Sequence, residues 1–400
     1  MTDAFLLAPG FRTAATACGL KKDGALDLTL IVSDVPCSAA GVFTTNRVKA
    51  APVLYDQAVL ATSAGRMRAV VANAGCANAC TGTEGAQNAH RMAELAAEVI
   101  GASADAVLVL STGVIGRQLD MNKVSAGIRA LTPASMSRDA LRTSQAIMTT
   151  DTRPKRATAT GTIAGKAFTV AGMAKGAGMI HPGMATMLSV ITTDASCDPA
   201  LLQRAVKTAS DKSFNRISVD GDMSTNDTVL LLASGVSGAV VTEASFDAFV
   251  MVLAEVCMDL AKKIARDGEG ATKLVEIRIT GAVDDAMAHR VADSIACSPL
   301  VKTAIHGNDP NWGRVVCAAG YSGAAINPDT LTLDFGLGAE QIRLVAAGMP
   351  LVADLNAASQ LLNREFVYIT LDLGMGTAAT TMWTCDFSKE YVEVNAHYTT

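Results

Sequence analysis

The 400-residue sequence predicts a protein that mixes helices and strands, of the α/β or α+β class. Half of the residues are hydrophobic, which is enough for one large core or two moderate ones. Glycine is abundant at 33 residues and aromatic residues make up only 4%, a composition suited to a compact chain with many tight turns. Short segments with strand alternation are interspersed with longer segments of helical spacing.

Charge and cysteine content exclude several classes of protein. The net charge of −5 gives no electrostatic footprint for nucleic acid. No run of about eighteen apolar residues occurs, and the N-terminus lacks a basic region, so we expect neither a membrane span nor a secretory signal. Cys76 and Cys80 lack a second pair at zinc-ligand spacing. We therefore expect buried, reduced thiols, no metal site and a cytoplasmic protein.

Elements of the first half follow from the spacing of apolar residues. The predicted elements are strands at 26–32, 39–46, 68–72 and 106–110, a small-residue loop at 73–82, a helix at 84–100 and a hairpin at 159–171. The strand at 106–110 leads into Ser111-Thr112-Gly113. Backbone N–H groups at such a strand end can point at a ligand, so an oxyanion site is one interpretation and an ordinary turn is the other.

The second half has the same mixed character. The predicted elements are helices at 198–213, 245–266, 284–296 and 353–364 and strands at 274–279, 330–335, 341–345, 366–373 and 379–384, with an ordered terminus at 391–400. Gly268 is the expected left-handed residue after the helix at 245–266. Residues 218–228 carry three acids and several hydroxyls, which suit either a cation site or a hydrogen-bonded structural loop.

The central segment, residues 175–194, holds a candidate nucleophile. Its glycines and Pro182 predict a sharp turn just before Thr186, and an apolar strand follows. A Thr in such a turn can attack its own preceding carbonyl, which breaks the chain and leaves Thr186 with a free α-amine beside its hydroxyl. With a pKa of roughly 7.7–8.0, that amine is a suitable base for the hydroxyl. The alternative is an ordinary junction between loop and strand.

Taken together, these residues make the chain resemble the ornithine acetyltransferase family of arginine biosynthesis over essentially its whole length. Long motifs in the family's order carry the resemblance. They are Gly41–Asn46, Asn73–Gly82, Ser111–Gly116, Thr150–Thr152, Lys175–Met187, Ser213–Asn215, Asp220–Asp222, Ser224–Thr228, Asp267–Lys273, Asp309–Arg314 and Asn395–Thr400.

The resemblance implies an α/β fold of stacked β-sheets flanked by helices, similar to the N-terminal-nucleophile hydrolases but distinct in topology. It also implies self-cleavage between Ala185 and Thr186 into an α chain, 1–185, and a β chain, 186–400. Within the β chain we expect 186–280 to complete the catalytic core and 281–400 to form a smaller C-terminal domain. The implied assembly is α2β2.

The same resemblance implies the site residues. Thr186 would be the nucleophile, and Thr112 and Gly113 would form the oxyanion hole. The implied substrate contacts are Thr152, Lys175, Thr186, Glu269, Asn395 and Thr400. Lys175 suits a substrate carboxylate, and Glu269 suits the cationic side of ornithine. Gly183 and Thr399 depart from the Asn and Arg that many members carry at these positions.

The implied activity moves an acetyl group from N2-acetyl-L-ornithine to L-glutamate through acetyl-Thr186, in a ping-pong reaction without a bound cofactor. Whether acetyl-CoA also serves as a donor stays open at this point. Two rival interpretations remain: a related self-processing amidase or aminopeptidase that gives its acyl group to water, and a member that folds without cleaving itself.

Overall fold

A computed structural model describes residues 4–22, 24–181 and 187–397. They form two compact units. One consists of the described residues up to 215 together with 222–264, and the other of 216–221 together with the described residues from 265 onward. The division after Ile264 falls near the end of a helix. The boundary expected near residue 280 lies instead within a strand of the second unit.

The first unit is built on an eight-stranded mixed sheet. Its strands are β1 Phe11–Thr16, β2 Leu28–Phe43, β3 Met67–Cys76, β4 Val107–Val114, β5 Lys155–Ile163, β6 Lys166–Lys175, β7 Leu188–Thr193 and β8 Thr228–Ala233. The order across the sheet is β4-β3-β2-β8-β7-β6-β5, with β1 paired to β2. The helices are α1 Ala51–Ser63, α2 Gly82–Ile100, α3 Met121–Ala130, α4 Leu141–Ala146, α5 Pro199–Asp211 and α6 Phe246–Arg266.

Strand β2 joins the two halves of this sheet. The separate strands predicted at 26–32 and 39–46 are one 16-residue strand, which corrects the sequence-based expectation. Its first part pairs with β1 and β3, and its second part pairs with β8. The register shifts between Val32 and Cys37, where β2 changes partners. An irregularity of this kind bends a strand, so β2 can belong to two layers.

The two halves stack face to face on a shared core, as the predicted fold class requires. Val70 of β3 and Leu108 of β4 lie in one buried cluster with Met173 of β6 and Val190 of β7. The alternate residues point outward, because successive side chains of a strand face opposite sides. On one outer face they pack against α2 and α3. On the other, α6 covers β6, and Phe249 packs 5.6 Å from Phe168 between ring centroids.

Several local predictions for the first unit are confirmed. The hairpin turns at Ala164-Gly165, both with positive φ, between β5 and β6. Helix α2 ends at Gly101, which has the left-handed conformation expected of a helix C-terminus. The loop expected at 73–82 begins later, since β3 continues to Cys76.

The second unit has its own six-stranded sheet and core. Its strands are β9 Leu274–Ala282, β10 Thr332–Phe335, β11 Ile342–Ala346, β12 Met349–Pro350, β13 Phe366–Asp372 and β14 Ala378–Cys385. Its helices are α7 Asp285–Cys297, α8 Pro299–His306, α9 Trp312–Gly320, α10 Leu355–Leu362 and α11 Lys389–His397. Strands β9 and β13 are parallel, and the order is β12-β11-β10-β13-β9-β14. Residues of α7, α8, α9 and α10 complete the core of this sheet.

Helices α1, α3, α4, α8 and α9 have no counterpart in the sequence-based predictions. Each has 13 residues or fewer. Short helices derive most of their stability from tertiary packing, so their local sequence signal is weak.

All nine cysteines lie among the described residues, and none of them forms a disulfide. The expectation that they are buried is wrong for Cys80 and Cys317, which are exposed. Among the described residues, no helix combines the length and apolar character needed to cross a membrane.

Candidate active site

The predicted oxyanion pair, Thr112 and Gly113, lies near the end of β4. The strand was predicted to end at residue 110, before this pair. It continues instead to Val114, in parallel pairing with β3. Gly113 has a φ of 129°, and a Cβ at this position would lie 2.4 Å from the carbonyl carbon of Gly75. Only glycine permits this approach of the two backbones. Because β4 is an edge strand, one side of its backbone remains unpaired by the sheet.

Lys175 is the last residue of β6, and the fold brings it to Thr112. Its side chain is almost fully buried, with 2% of the residue exposed. The Nζ atom donates a hydrogen bond to Thr112 Oγ1 over 3.4 Å. Two predicted site residues that are far apart in sequence therefore meet, and they place a buried cation beside the candidate oxyanion position.

Asp151 anchors the segment that carries Thr152. Its carboxylate accepts hydrogen bonds from Lys155 Nζ at 2.6 Å, the Gly176 N–H at 2.7 Å and the Thr149 N–H at 3.0 Å. The side chains of Asp151 and Lys155 are both completely buried. One carboxylate thus ties the exposed Thr152 segment to the residue that follows Lys175.

The charge state of Asp151 follows from these contacts. Burial acts to raise the pKa of the Asp151 carboxyl, but the charges of Lys155 and Lys175 and the Gly176 N–H outweigh it. The pKa lies below its ordinary value as a result. Asp151 is an anion at neutral pH, and the positive charge near Lys175 is partly balanced before any substrate binds.

Lys21 is a further cation near this group that has no counterpart in the sequence-based predictions. Its Nζ donates to the carbonyl oxygens of Leu26 at 2.7 Å and Ala146 at 3.3 Å. Burial lowers the pKa of Lys21 to about 8, opposed by the charges of Asp27 and Asp151 and aided by that of Lys175. In the sequence, Lys21 and Lys155 look like ordinary surface lysines, and only their tertiary burial distinguishes them.

Glu269 and Asn395 come together within the second unit. Asn395 Nδ2, on α11, donates to Glu269 Oε2 over 2.8 Å. The Glu269 loop packs closely on the segment before this helix: Ser388 Oγ donates to the Gly270 carbonyl at 2.6 Å. A Cβ at Gly270 would lie 2.5 Å from the Tyr391 nitrogen. Two predicted substrate contacts, distant in sequence, are therefore neighbours.

The glycine expected to end α6 in the left-handed conformation is misassigned. Gly270 has a φ of 68°, whereas Gly268 has no positive φ. Gly268 is constrained by packing instead, since a Cβ there would lie 2.9 Å from Cys385 Sγ.

The remaining predicted residues, Ala185, Thr186 and Thr400, lie outside the described residues, as do Gly183 and Thr399. The loop interpretation of 218–228 is supported over its second part by internal hydrogen bonds. The Asn226 N–H donates to Ser224 Oγ, and Thr228 Oγ1 donates to the Asn226 carbonyl.

Replacing Asp151 by Asn should destabilise the first unit by about 3–5 kcal/mol, because the buried Lys155 ammonium loses its counter-charge. Since the folded pKa of Asp151 is lowered, its contribution is present above the unfolded pKa of about 3.9 and is lost as pH falls toward the folded pKa. The variant should therefore show a flatter decline of stability below about pH 4. Urea unfolding at several pH values measures both effects.

The matched control for this change is Asp259→Asn. Asp259 forms an ion pair with Lys263 at 2.7 Å, but both side chains are about half exposed. Its loss should change stability by only about 0–1 kcal/mol. Equal effects of the two substitutions would contradict the role assigned to the buried pair.

Comparisons with known proteins agree over nearly the whole chain. A model of the ArgJ family matches residues 12–400. A Geobacter sulfurreducens protein named arginine biosynthesis bifunctional protein ArgJ is 49% identical over 395 residues, which cover 98% of this chain and 99% of that relative. A Yarrowia lipolytica protein of the same name, designated mitochondrial, is 45% identical over 403 residues, which cover 98% and 94%.

Two solved structures also match in part. The Bacillus halodurans protein ArgJ is 42% identical and covers 52% of this chain and 97% of its own, with a TM-score of 0.48. A Mycobacterium tuberculosis ornithine acetyltransferase, solved in complex with ornithine, is 39% identical. The match covers 46% of this chain and 96% of that protein's chain, with a TM-score of 0.40. The family match and the identity to full-length relatives confirm the resemblance seen in the sequence. The chain belongs to the ArgJ family.

Proposed function

We propose that this chain is a self-cleaving acetyltransferase that moves the acetyl group of N2-acetyl-L-ornithine to L-glutamate. The observation that carries the proposal is the match to the ArgJ family from residue 12 to residue 400. The contact between the buried Lys175 and Thr112 supports it, since both residues are at positions that the resemblance assigns to the site.

Self-cleavage prepares the nucleophile. The Thr186 hydroxyl attacks the Ala185 carbonyl, and the acyl group moves from the Thr186 nitrogen to its oxygen. Water then hydrolyses the resulting ester, which leaves Ala185 as a carboxylate and Thr186 with a free α-amine. That amine, whose pKa is ordinarily about 7.7–8.0, becomes a base next to the hydroxyl.

Transfer then proceeds in two balanced steps. Thr186 Oγ attacks the acetyl carbonyl of acetylornithine, its proton passes to the α-amine and then to the departing amine, and ornithine leaves. The glutamate amine next attacks the acetyl ester, and N-acetylglutamate leaves as Thr186 regains its proton. Backbone N–H groups at Thr112 and Gly113 stabilise the oxyanion in both steps, an effect worth about 2.7–4 kcal/mol per donor in other enzymes.

The other site residues bind substrate. Lys175 pairs with a substrate carboxylate, Glu269 with the cationic end of ornithine, and Thr152, Asn395 and Thr400 supply neutral hydrogen bonds.

We further propose a cytoplasmic α2β2 assembly of the two chains. The relatives' name, bifunctional protein, favours a second activity, for which we propose acetyl-CoA as the alternative acetyl donor.

Replacing Thr186 by Ala should leave one uncut chain of 41.2 kDa without transferase activity, because the attacking oxygen is missing. The parent protein should give two bands of about half that mass on a denaturing gel. Thr186→Ser keeps a hydroxyl and is the matched control, in which cleavage should persist. A cut and active Ala variant would contradict the proposal.

Product analysis separates the transferase from a hydrolase. With acetylornithine as donor, N-acetylglutamate should form only when glutamate is present, and little free acetate should appear, because the acetyl ester waits for an amine. Acetate release at a rate independent of glutamate would favour the amidase or aminopeptidase interpretation. The same assay with acetyl-CoA in place of acetylornithine tests the second donor.

Replacing Lys175 by Ala should raise the KM for acetylornithine by about 10- to 100-fold, since a hydrogen bond to a charged group contributes about 1.5–3 kcal/mol. Lys166→Ala is the matched control, because Lys166 is an exposed lysine at the other end of β6. It should leave the KM unchanged. An unchanged KM in the Lys175 variant would exclude the carboxylate role.

A further inference from the structure

Met187 directly follows the proposed nucleophile, and both its backbone N–H and its carbonyl group are hydrogen-bonded. Met187 directly precedes β7 and is buried. Its N–H donates to Asp227 Oδ1 over 2.9 Å, and its carbonyl accepts from the Thr228 N–H over 3.1 Å. Met187 directly follows Thr186 in the sequence, so Asp227 holds the backbone N–H of the residue after the proposed nucleophile.

The surroundings of Asp227 are unusual for a carboxyl group. The side chain is completely buried, and among the described residues its Oδ2 atom has no hydrogen-bond partner. Burial raises the pKa of Asp227 well above its ordinary value, although the Met187 N–H and the Lys175 charge act to lower it. A buried polar atom left unsatisfied is destabilising, so the hydrogen bond from the Met187 N–H is an important compensation for burying this carboxyl group.

The preceding residue, Asn226, reaches the other side of the site. Its Nδ2 donates to the carbonyl oxygens of Ser111 and Ala77, both over 2.7 Å. Its Oδ1 accepts from Thr225 Oγ1 at 2.6 Å, which fixes the orientation of the amide. The Ser111 carbonyl belongs to the peptide whose nitrogen is that of Thr112. Asn226 therefore holds the candidate oxyanion strand as Asp227 holds the chain after the nucleophile.

We propose that Asn226 and Asp227 form a positioning clamp that sets Thr186 against the oxyanion residues Thr112 and Gly113, for both self-cleavage and acetyl transfer. The two side chains are adjacent in sequence, so each constrains the other through one short piece of backbone. Attack and oxyanion stabilisation both require that the reacting atoms are placed to well within about 1 Å. A misplacement of about 1 Å can reduce the rate by about a hundredfold. This inference rests on the proposed function, because it assigns the clamp to the same site.

The test compares Asp227→Ala with Asp227→Asn. Asn keeps an oxygen that can accept from the Met187 N–H and has nearly the same shape, whereas Ala removes the acceptor. The Ala variant should cleave itself about 10- to 100-fold more slowly, and its kcat per cut chain should fall by a similar factor. Its KM for acetylornithine should stay within about threefold, since the substrate contacts are untouched. The Asn variant should stay within about threefold of the parent in cleavage and kcat.

A matched control exists in the same unit. Asp56 is also completely buried, and its Oδ1 accepts from the Val109 N–H at 2.7 Å. Its Oδ2, like that of Asp227, has no hydrogen-bond partner within the described part of the chain. Asp56→Ala removes the same kind of interaction and should lower the melting temperature, yet leave the cut fraction and kcat per cut chain unchanged. If Asp227→Ala does not fold, Asn226→Leu provides the second variant. It keeps the branched shape of the side chain, removes both N–H donors, and should show the same fall in cleavage rate and kcat.

Several results would overturn the clamp. These are an Asp227→Ala or Asn226→Leu variant with normal cleavage and kcat, an Asp227→Asn variant as impaired as the Ala variant, and a loss in Asp56→Ala equal to that in Asp227→Ala. Thr186→Ala separates this inference from the proposed function. If that variant is uncut and inactive while Asp227→Ala behaves like the parent, only the clamp is wrong. If Thr186→Ala is cut and active, the proposed function itself is wrong.

Discussion

The arrangement of the candidate site depends on one buried carboxylate, that of Asp151. It holds Lys155 at the start of β5 and the Gly176 N–H at the end of β6, and these strand ends are neighbours because Lys155 pairs with Ala174 in the hairpin. A buried ion pair with one member missing typically costs 3–5 kcal/mol, so each charge here requires the other. The position of Lys175 is set by this pairing and by the strand that carries it.

A second constraint is the close approach of β3 and β4. Gly113 leaves no room for a Cβ against the Gly75 backbone, and this contact brings Thr112 beside a strand on which Asn73 accepts a hydrogen bond from Ser111 Oγ. Strand β2 extends this half of the sheet into the other, and the shared core packs the two halves face to face. The Lys175–Thr112 contact therefore joins strands from both halves, because stacked layers bring β4 and β6 together.

The sequence predicted those features that depend on neighbouring residues. The helix at 84–100, the hairpin at Ala164-Gly165 and the strands of the second unit are visible as local periodicity or turn chemistry. Prediction failed where contacts distant in sequence decide the structure. The register shift that makes 26–32 and 39–46 one strand depends on pairing with β3 and β8. Gly270, and not Gly268 as expected, adopts the left-handed conformation. Gly268 is constrained instead by a contact distant in sequence, since a Cβ there would lie 2.9 Å from Cys385 Sγ.

By itself, the sequence determined the family, the mixed fold class and the candidate residues, because long motifs and local periodicity can be recognised without knowledge of the fold. Only the tertiary structure decided that Lys175 meets Thr112, and that Glu269 meets Asn395. It also decided that Asp151, Asp227 and Lys155 are buried and that Lys21 is partly buried. The physical reason is that burial and electrostatic pairing depend on which segments, distant in sequence, become neighbours in the folded chain. In the sequence, an Asp in a polar stretch gives the same signal whether its carboxyl group faces water or, like that of Asp227, accepts a hydrogen bond from the buried N–H of Met187.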